Sequence, residues 1–218
     1  MSITFVRHGQ TEWNRLGLVQ GVSDIPLNDT GREQAREAGK FLAEDPVEWT
    51  LITSSPLSRA RETAEIIAER LGYPVGEPVD DLREQNYGVA EGVTMEEFNT
   101  RWPDRQFEEG ESSEELTTRG LSVLNYLDQM HPDGNVLAVS HGALIRRLIS
   151  VITGIEYHDV PSIINSALTQ FEKDSAGNWQ VTWINNMPAS QLLAQEAPAQ
   201  LVSLGDGDSV CTAEGVCS

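Results

Sequence analysis

Short apolar runs rich in β-branched residues recur at Ile3–Val6, Leu51–Thr53, Val136–Val139, Leu168–Phe171 and Val181–Ile184, each about the length of a buried strand. Between the first four the period changes. In "PLSRARETAEIIAERLG", Leu57, Ala60, Ala64, Ile67, Ala68 and Leu71 fall three or four residues apart, which makes one apolar helix face. Ser55 followed by Pro56 predicts the start of that helix and Gly72 its end. "DTGREQAREAGKFLAED", Leu116–Met130 and Ala143–Ile152 predict further helices. Strands alternating with helices predict an α/β fold, a largely parallel central sheet with helices on both faces.

Two stretches break the alternation. Residues Gly88 to Ser113 hold many acids, Trp102-Pro103 and few apolar repeats, so they read as an insertion that caps something. After Lys173 there is no lysine or arginine, and from about Met187 the chain is rich in Ala, Gln, Ser, Gly and Asp. The expected organisation is one domain over residues 1–186 followed by an acidic, flexible tail over 187–218, and truncation after about Ser190 is expected to be harmless.

Composition narrows the partners. With 15 basic and 34 acidic residues the formal net charge is −19, which opposes nucleic-acid binding by the surface at large. An anionic ligand must therefore be drawn in by a local positive pocket. No stretch has the apolar length to cross a bilayer, so no membrane association is expected. "MSITFV" carries no basic leader and is cut short by Arg7, so it reads as a strand and not a signal, and the cytoplasm is the expected compartment. Cys211 and Cys217 both lie in the last eight residues, so a disulfide framework is not expected. Two thiols without a nearby histidine are also too few ligands for a closed zinc site. A homodimer is left open.

The first strand runs into Arg7-His8-Gly9, and "NVLAVSHGALIRRLIS" repeats the arrangement at Ser140-His141-Gly142. Two of the four histidines thus sit in His-Gly pairs at the carboxyl ends of predicted strands, the edge of an open parallel sheet where ligands bind. Arg59, in the first turn after the strand "LITSS", falls on the same edge. Arg7, His8, Arg59 and His141 are expected to converge on one pocket suited to phosphate, whose oxygens match the forked donors of guanidinium groups. His131 and His158 lie outside any such pair and read as surface residues. Arg146-Arg147 reads as a solvated helix face, and the tryptophans as packing residues.

Five pieces, "RHGQTEWN" from Arg7, "QG" at Gln20-Gly21, "SSPLSRARETA" from Ser54, "LREQNYGVAEG" from Leu82 and "SHG" at Ser140, together resemble the histidine phosphatase superfamily, which includes the cofactor-dependent phosphoglycerate mutases. They span most of residues 3 to 185 in family order. The resemblance implies the phosphoglycerate mutase-like three-layer sandwich and a phosphohistidine formed on His8. Arg7, Arg59 and His141 would stabilise charge on the phosphoryl oxygens, and Asn14 would contact the phosphate. Gln20 and Gly21 match substrate-loop positions, and Glu84 matches the proton donor. A carbonyl near Gly9 is the expected acceptor that fixes the His8 tautomer. Glu91 is the competing carboxylate, and Tyr87 is a candidate pocket wall. No metal and no cofactor are expected.

Three readings follow. A phosphatase of small phosphomonoesters stands first. The mutases carry extra bases in the insertion after the glutamate, whereas Glu84 to Thr118 holds only Arg101 and Arg105 against ten acids. "GES" at Gly110 to Ser112 resembles the phosphatase branch, while "EQNYG" resembles the mutases, so a 2,3-bisphosphoglycerate-dependent mutase stands second. A phosphate-binding regulatory module without turnover stands third.

Overall fold

The computed structural model describes residues 1–44 and 47–193. Its strands are β1 (Ser2–Arg7), β2 (Trp49–Ser54), β3 (Asn135–Ser140), β4 (Leu168–Lys173), β5 (Trp179–Ile184) and β6 (Met187–Pro188). Its helices are α1 (Glu12–Leu16), α2 (Asp29–Glu44), α3 (Ser58–Leu71), α4 (Met95–Arg101), α5 (Ser113–Met130), α6 (Gly142–Thr153) and α7 (Ala189–Leu193). The strands form one sheet in the order β2-β3-β1-β4-β5-β6.

Alternation along the strands separates two cores. Ile3, Phe5, Val136 and Ala138 face a cluster built with Val123, Leu124 and Leu127 of α5 and Ile145 and Leu148 of α6. Val6, Leu137, Val139 and Ile52 face the opposite cluster, with Ala38 and Leu42 of α2 and Ala60, Ala64 and Ile67 of α3. A strand covered on both sides needs apolar residues at successive positions, which is why β1 and β3 read as continuous runs. Phe5 and Phe171 meet edge to face at 5.5 Å between ring centroids, both fully buried. Burial of each ring stabilises the fold by roughly 1.5–3 kcal/mol.

Only half of the sheet is parallel. β1 and β2 each pair parallel with β3, as expected of the central strands, but β4 runs antiparallel to β1 and β5 antiparallel to β4, so the expectation of a largely parallel sheet holds only in part. The reason lies in the connection before β4. The chain leaves α6 at Thr153 and returns through residues 154–167 without a helix, and Ser166 N–H donates to the Arg7 carbonyl at the end of β1. β4 therefore enters from the carboxyl edge of β1.

Helix ends differ slightly from expectation. Asp45, the last residue of the expected second helix, lies outside the described residues. α3 begins at Ser58, after a turn in which Ser55 Oγ accepts Leu57 N–H at 3.3 Å; its first amide, Ser58 N–H, is capped from another segment by Asp24 at 2.7 Å. α5 starts as a capping box, with Ser112 and Glu115 satisfying each other's amides.

The fold also runs beyond the expected boundary at residue 186. β6 pairs with β5, Ala189 is buried, and Leu192 and Leu193 pack on the α5–α6 core, so the first seven residues of the expected tail, 187–193, belong to the described fold. The rest of the expected tail, residues 194–218 with both cysteines, lies outside the described residues.

Candidate active site

β1 and β3 lie side by side in register, with Arg7 opposite Ser140, so the residues that follow them emerge together. The rings of His8 and His141 are 5.0 Å apart between centroids and both are buried. Gly9 is required by a close approach: a Cβ there would stand 2.3 Å from the carbonyl oxygen of Gly31, where the start of α2 presses on the end of β1. The Gly9 amide donates to Thr63 Oγ1 at 3.0 Å.

His8 Nδ1 is 2.7 Å from the Gly9 carbonyl oxygen, and because a carbonyl can only accept, Nδ1 carries the hydrogen and Nε2 the lone pair. Arg59 Nε–H lies 3.3 Å from that Nε2. The same N–H lies 2.6 Å from the amide oxygen of Gln20 once the Gln20 amide is turned so that its NH₂ meets Thr11 Oγ1. The shorter bond takes the hydrogen, which leaves the His8 lone pair open toward the pocket. Burial first, then the charges of Arg59 and Arg7, hold the His8 imidazole well below its ordinary value of 6.5. Burial and Arg59 do the same to His141.

Arg59 is fully buried in the first turn of α3; its Nη1 donates to Ser23 O at 2.8 Å and its Nη2 to Gly21 O at 2.7 Å. Burial lowers its pKa to about 10, which still leaves it cationic at neutral pH. Arg7 Nη1 donates to the carbonyl of Ile163, whereas Arg7 Nε and both ring nitrogens of His141 are buried without a partner in the protein. Donors gathered this way around His8 suit a tetrahedral oxyanion.

Glu84 follows a short 3₁₀ turn (Asp80–Leu82) and is 7% exposed. Its carboxyl oxygens accept the amides of Ala143 at 3.1 Å, Leu144 at 3.3 Å and Gln85 at 3.0 Å. The amino end of α6 is thus occupied by Glu84. Burial pushes the Glu84 carboxyl up; the amide bonds and the two arginines pull against it and lose.

A cavity of about 340 Å³ joins Arg7, His8, Asn14, Gln20 and Glu84 to an apolar wall that includes Tyr87, Met95 and Phe98. The wall belongs to the insertion, whose Phe98, Trp102 and Phe107 pack with Tyr87 and Val19, so the segment does cap the pocket. Its two bases turn to their own neighbours: Arg101 pairs with Glu97 over the Trp102 ring, and Arg105 bonds Asn99 over the Phe98 ring.

Other assignments shift. Arg146 and Arg147 both lie over the Tyr157 ring, and Arg146 donates to the carbonyls of Tyr157 and Val160, so they anchor the loop after α6 and are not a solvated face. Glu91 is tied to backbone amides and does not line the cavity.

Two residues that hold the site together escaped the sequence reading. Thr63 was legible in principle, one helical turn after Arg59 on the same face. Asn165, whose Nδ2 donates to the His8 carbonyl at 2.9 Å and to Asn14 Oδ1 at 3.4 Å, arrives on the loop before β4. Its one local signal is a polar pair, Asn165-Ser166, inside an apolar stretch. Ser166 holds a left-handed φ of 58°, a conformation stabilised by its amide bond to Arg7 O at 2.8 Å.

Two buried histidines and two arginines at one sheet edge, with a carboxyl group beside them, are the equipment of a phosphoryl-transfer enzyme. The chain belongs to the histidine phosphatase superfamily (branch 1), whose sequence profile matches residues 3–187. It is 42% identical over 172 residues to the "Uncharacterized phosphatase PhoE" of Bacillus subtilis, covering 78% of this chain and 88% of that one. It is 37% identical over 168 residues to the "Probable phosphoglycerate mutase GpmB" of Escherichia coli, covering 71% and 76%. Among solved structures, the phosphoserine phosphatase of Entamoeba histolytica with 3-phosphoglyceric acid superposes with a TM-score of 0.75 at 29% identity, covering 84% of this chain and 96% of that one. The chain is thus an enzyme of a phosphatase-like family that also holds mutase-like relatives.

Proposed function

We propose that the protein hydrolyses small phosphomonoesters through a phosphohistidine on His8, without a metal ion. The observation that carries this reading is the fixed tautomer of His8, with Nδ1–H on Gly9 O and the Nε2 lone pair among the cationic and unpartnered donors of Arg59, Arg7 and His141. Nε2 attacks phosphorus, the bond to the alcohol oxygen breaks, and Glu84 gives that oxygen its proton. Water then attacks the phosphohistidine while the Glu84 carboxylate takes the water's proton, which returns His8 and releases phosphate. The arginines and His141 stabilise the charge that shifts among the phosphoryl oxygens.

The organic half of the ester meets Tyr87, Met95 and Phe98, with Arg101 and Arg105 held elsewhere. That wall favours an uncharged or apolar alcohol over a phosphorylated acid that must turn over within the site, and so favours hydrolysis over mutase transfer. Among the described residues no three His, Cys, Asp or Glu side chains are grouped to hold a metal. No described helix is long and apolar enough to cross a membrane.

A panel of phosphate esters, assayed with and without 2,3-bisphosphoglycerate and with and without EDTA, tests the reading. Steady release of phosphate in EDTA is expected, with a trapped phosphoenzyme that His8→Ala abolishes. Turnover restored only by added magnesium or zinc, or phosphoglycerate interconversion outrunning hydrolysis, would overturn it.

A further inference from the structure

We infer that Glu91 is a positioning residue: it clamps the loop of residues 20–24 to the Glu84 segment and, through one peptide unit, holds Arg59 against the phosphate. One carboxyl oxygen of Glu91 accepts Val22 N–H at 2.9 Å and Tyr87 N–H at 3.3 Å; the other accepts Ser23 N–H at 2.8 Å and the Ser23 hydroxyl. The donors thus come from two separate stretches, one carrying the acceptors of Arg59 and the other following Glu84.

The peptide between Gly21 and Val22 is bonded at both ends. Its N–H points to the Glu91 carboxylate and its carbonyl oxygen receives Arg59 Nη2 at 2.7 Å. A negative group at the N–H end and a cation at the oxygen end both favour the same orientation of that dipole, so each bond strengthens the other. Ser23 is also held by both groups, through two successive peptide units: its N–H donates to Glu91 and its carbonyl accepts from Arg59 Nη1. Gly21 completes the fit: a Cβ there would lie 2.1 Å from Glu91 Oε1, so the carboxylate sits flush on the loop backbone. The chemistry explains why a carboxylate is needed. An amide of the same size would present an NH₂ group to donors already aimed at it.

This role rests on reading the pocket as a phosphate site, and equilibrium binding of inorganic phosphate and vanadate separates the two ideas. In Glu91→Gln the affinity for both anions should fall roughly tenfold, within the range for residues coupled through a shared network. Arg59→Ala should lower it further, and the double variant should bind no worse than Arg59→Ala alone. Gly21→Ala, whose Cβ would displace the carboxylate while keeping its charge and would also press on the Gln85 carbonyl 2.7 Å away, should lose at least as much as Glu91→Gln and provides the test should Glu91→Gln fail to fold. Losses that simply add in the double variant would overturn the clamp, as would unchanged anion affinity in Gly21→Ala. So would a Glu91→Gln rate defect that grows with the pKa of the leaving alcohol, because Glu91 would then be acting as the acid. Wild-type protein that binds neither anion would sink the phosphate reading itself, and the clamp with it.

Discussion

Glu84 caps the helix that follows the second histidine: its carboxyl oxygens lie 3.1 Å from the amide of Ala143, one residue beyond the Gly142 that succeeds His141. The candidate acid and His141, the second histidine of the pocket, are thereby fixed to one helix end. A single carboxyl oxygen suffices to keep that amide, so the other can carry a proton.

From this follows a leaving-group dependence. Glu84→Gln should retain phosphate binding but slow phosphohistidine formation by ~10²–10⁴ for alkyl phosphates. For nitrophenyl phosphate, whose alcohol leaves without a proton, the defect should shrink. Rapid-quench measurement of phosphoenzyme formation checks this, and equal losses for the two esters would remove Glu84 from the role.

The lowered histidine pKa values affect both rate and stability. His8 stays neutral in the free enzyme well below 6.5, so the acid limb of kcat/KM should lie well under that value. Between their lowered values and 6.5, His8 and His141 bind fewer protons folded than unfolded, so their contribution is present above 6.5 and lost as pH falls. Each should lower the unfolding free energy by about 1.4 kcal/mol per pH unit in that window. Glu84 has the opposite sign: its folded pKa is raised, so its contribution is present below 4.5 and lost as pH rises through the raised value. Urea unfolding at several pH values should show a shallower acid loss in His141→Gln than in the wild type; identical slopes would contradict the assignment.

Asn165 holds the His8 carbonyl and Asn14 together. Asn165→Ala should cost about 1–3 kcal/mol in kcat/KM, the size of a buried polar group left unpaired. Steady-state kinetics should show the loss with little change in secondary structure by circular dichroism. Wild-type kinetics in the variant would mean that the loop before β4 contributes only its backbone.

The last helix should matter for stability. A chain ending at Pro188 loses buried Ala189 and the packed side chains of Leu192 and Leu193. Compared with a chain ending at Leu193, it should lose roughly 2 kcal/mol, or about 4–8 °C in Tm. Coincident melting curves would show that α7 is not part of the cooperative unit.

The sequence determined the elements and the convergence of the site. β1, β3, α3 and α6 are legible because a strand or helix buried on a face must repeat apolar residues at its own period. Arg7, His8, Arg59 and His141 follow because each lies at the carboxyl end of a strand or in the first turn after one. Glu84, Gln20, Gly21 and Asn14 came from the family resemblance, since an acid among acids carries no periodic signal. The tertiary structure alone decided the direction of β4, because the segment 154–167 carries no period that says which sheet edge it will reach. For the same reason Asn165 was illegible: its neighbours His8 and Asn14 are more than 150 positions away in the chain. Glu91 and Glu84 look alike in sequence, and what separates them is which amides the fold brings to each. Glu84 meets the end of α6 beside the pocket, and Glu91 meets the loop that holds Arg59.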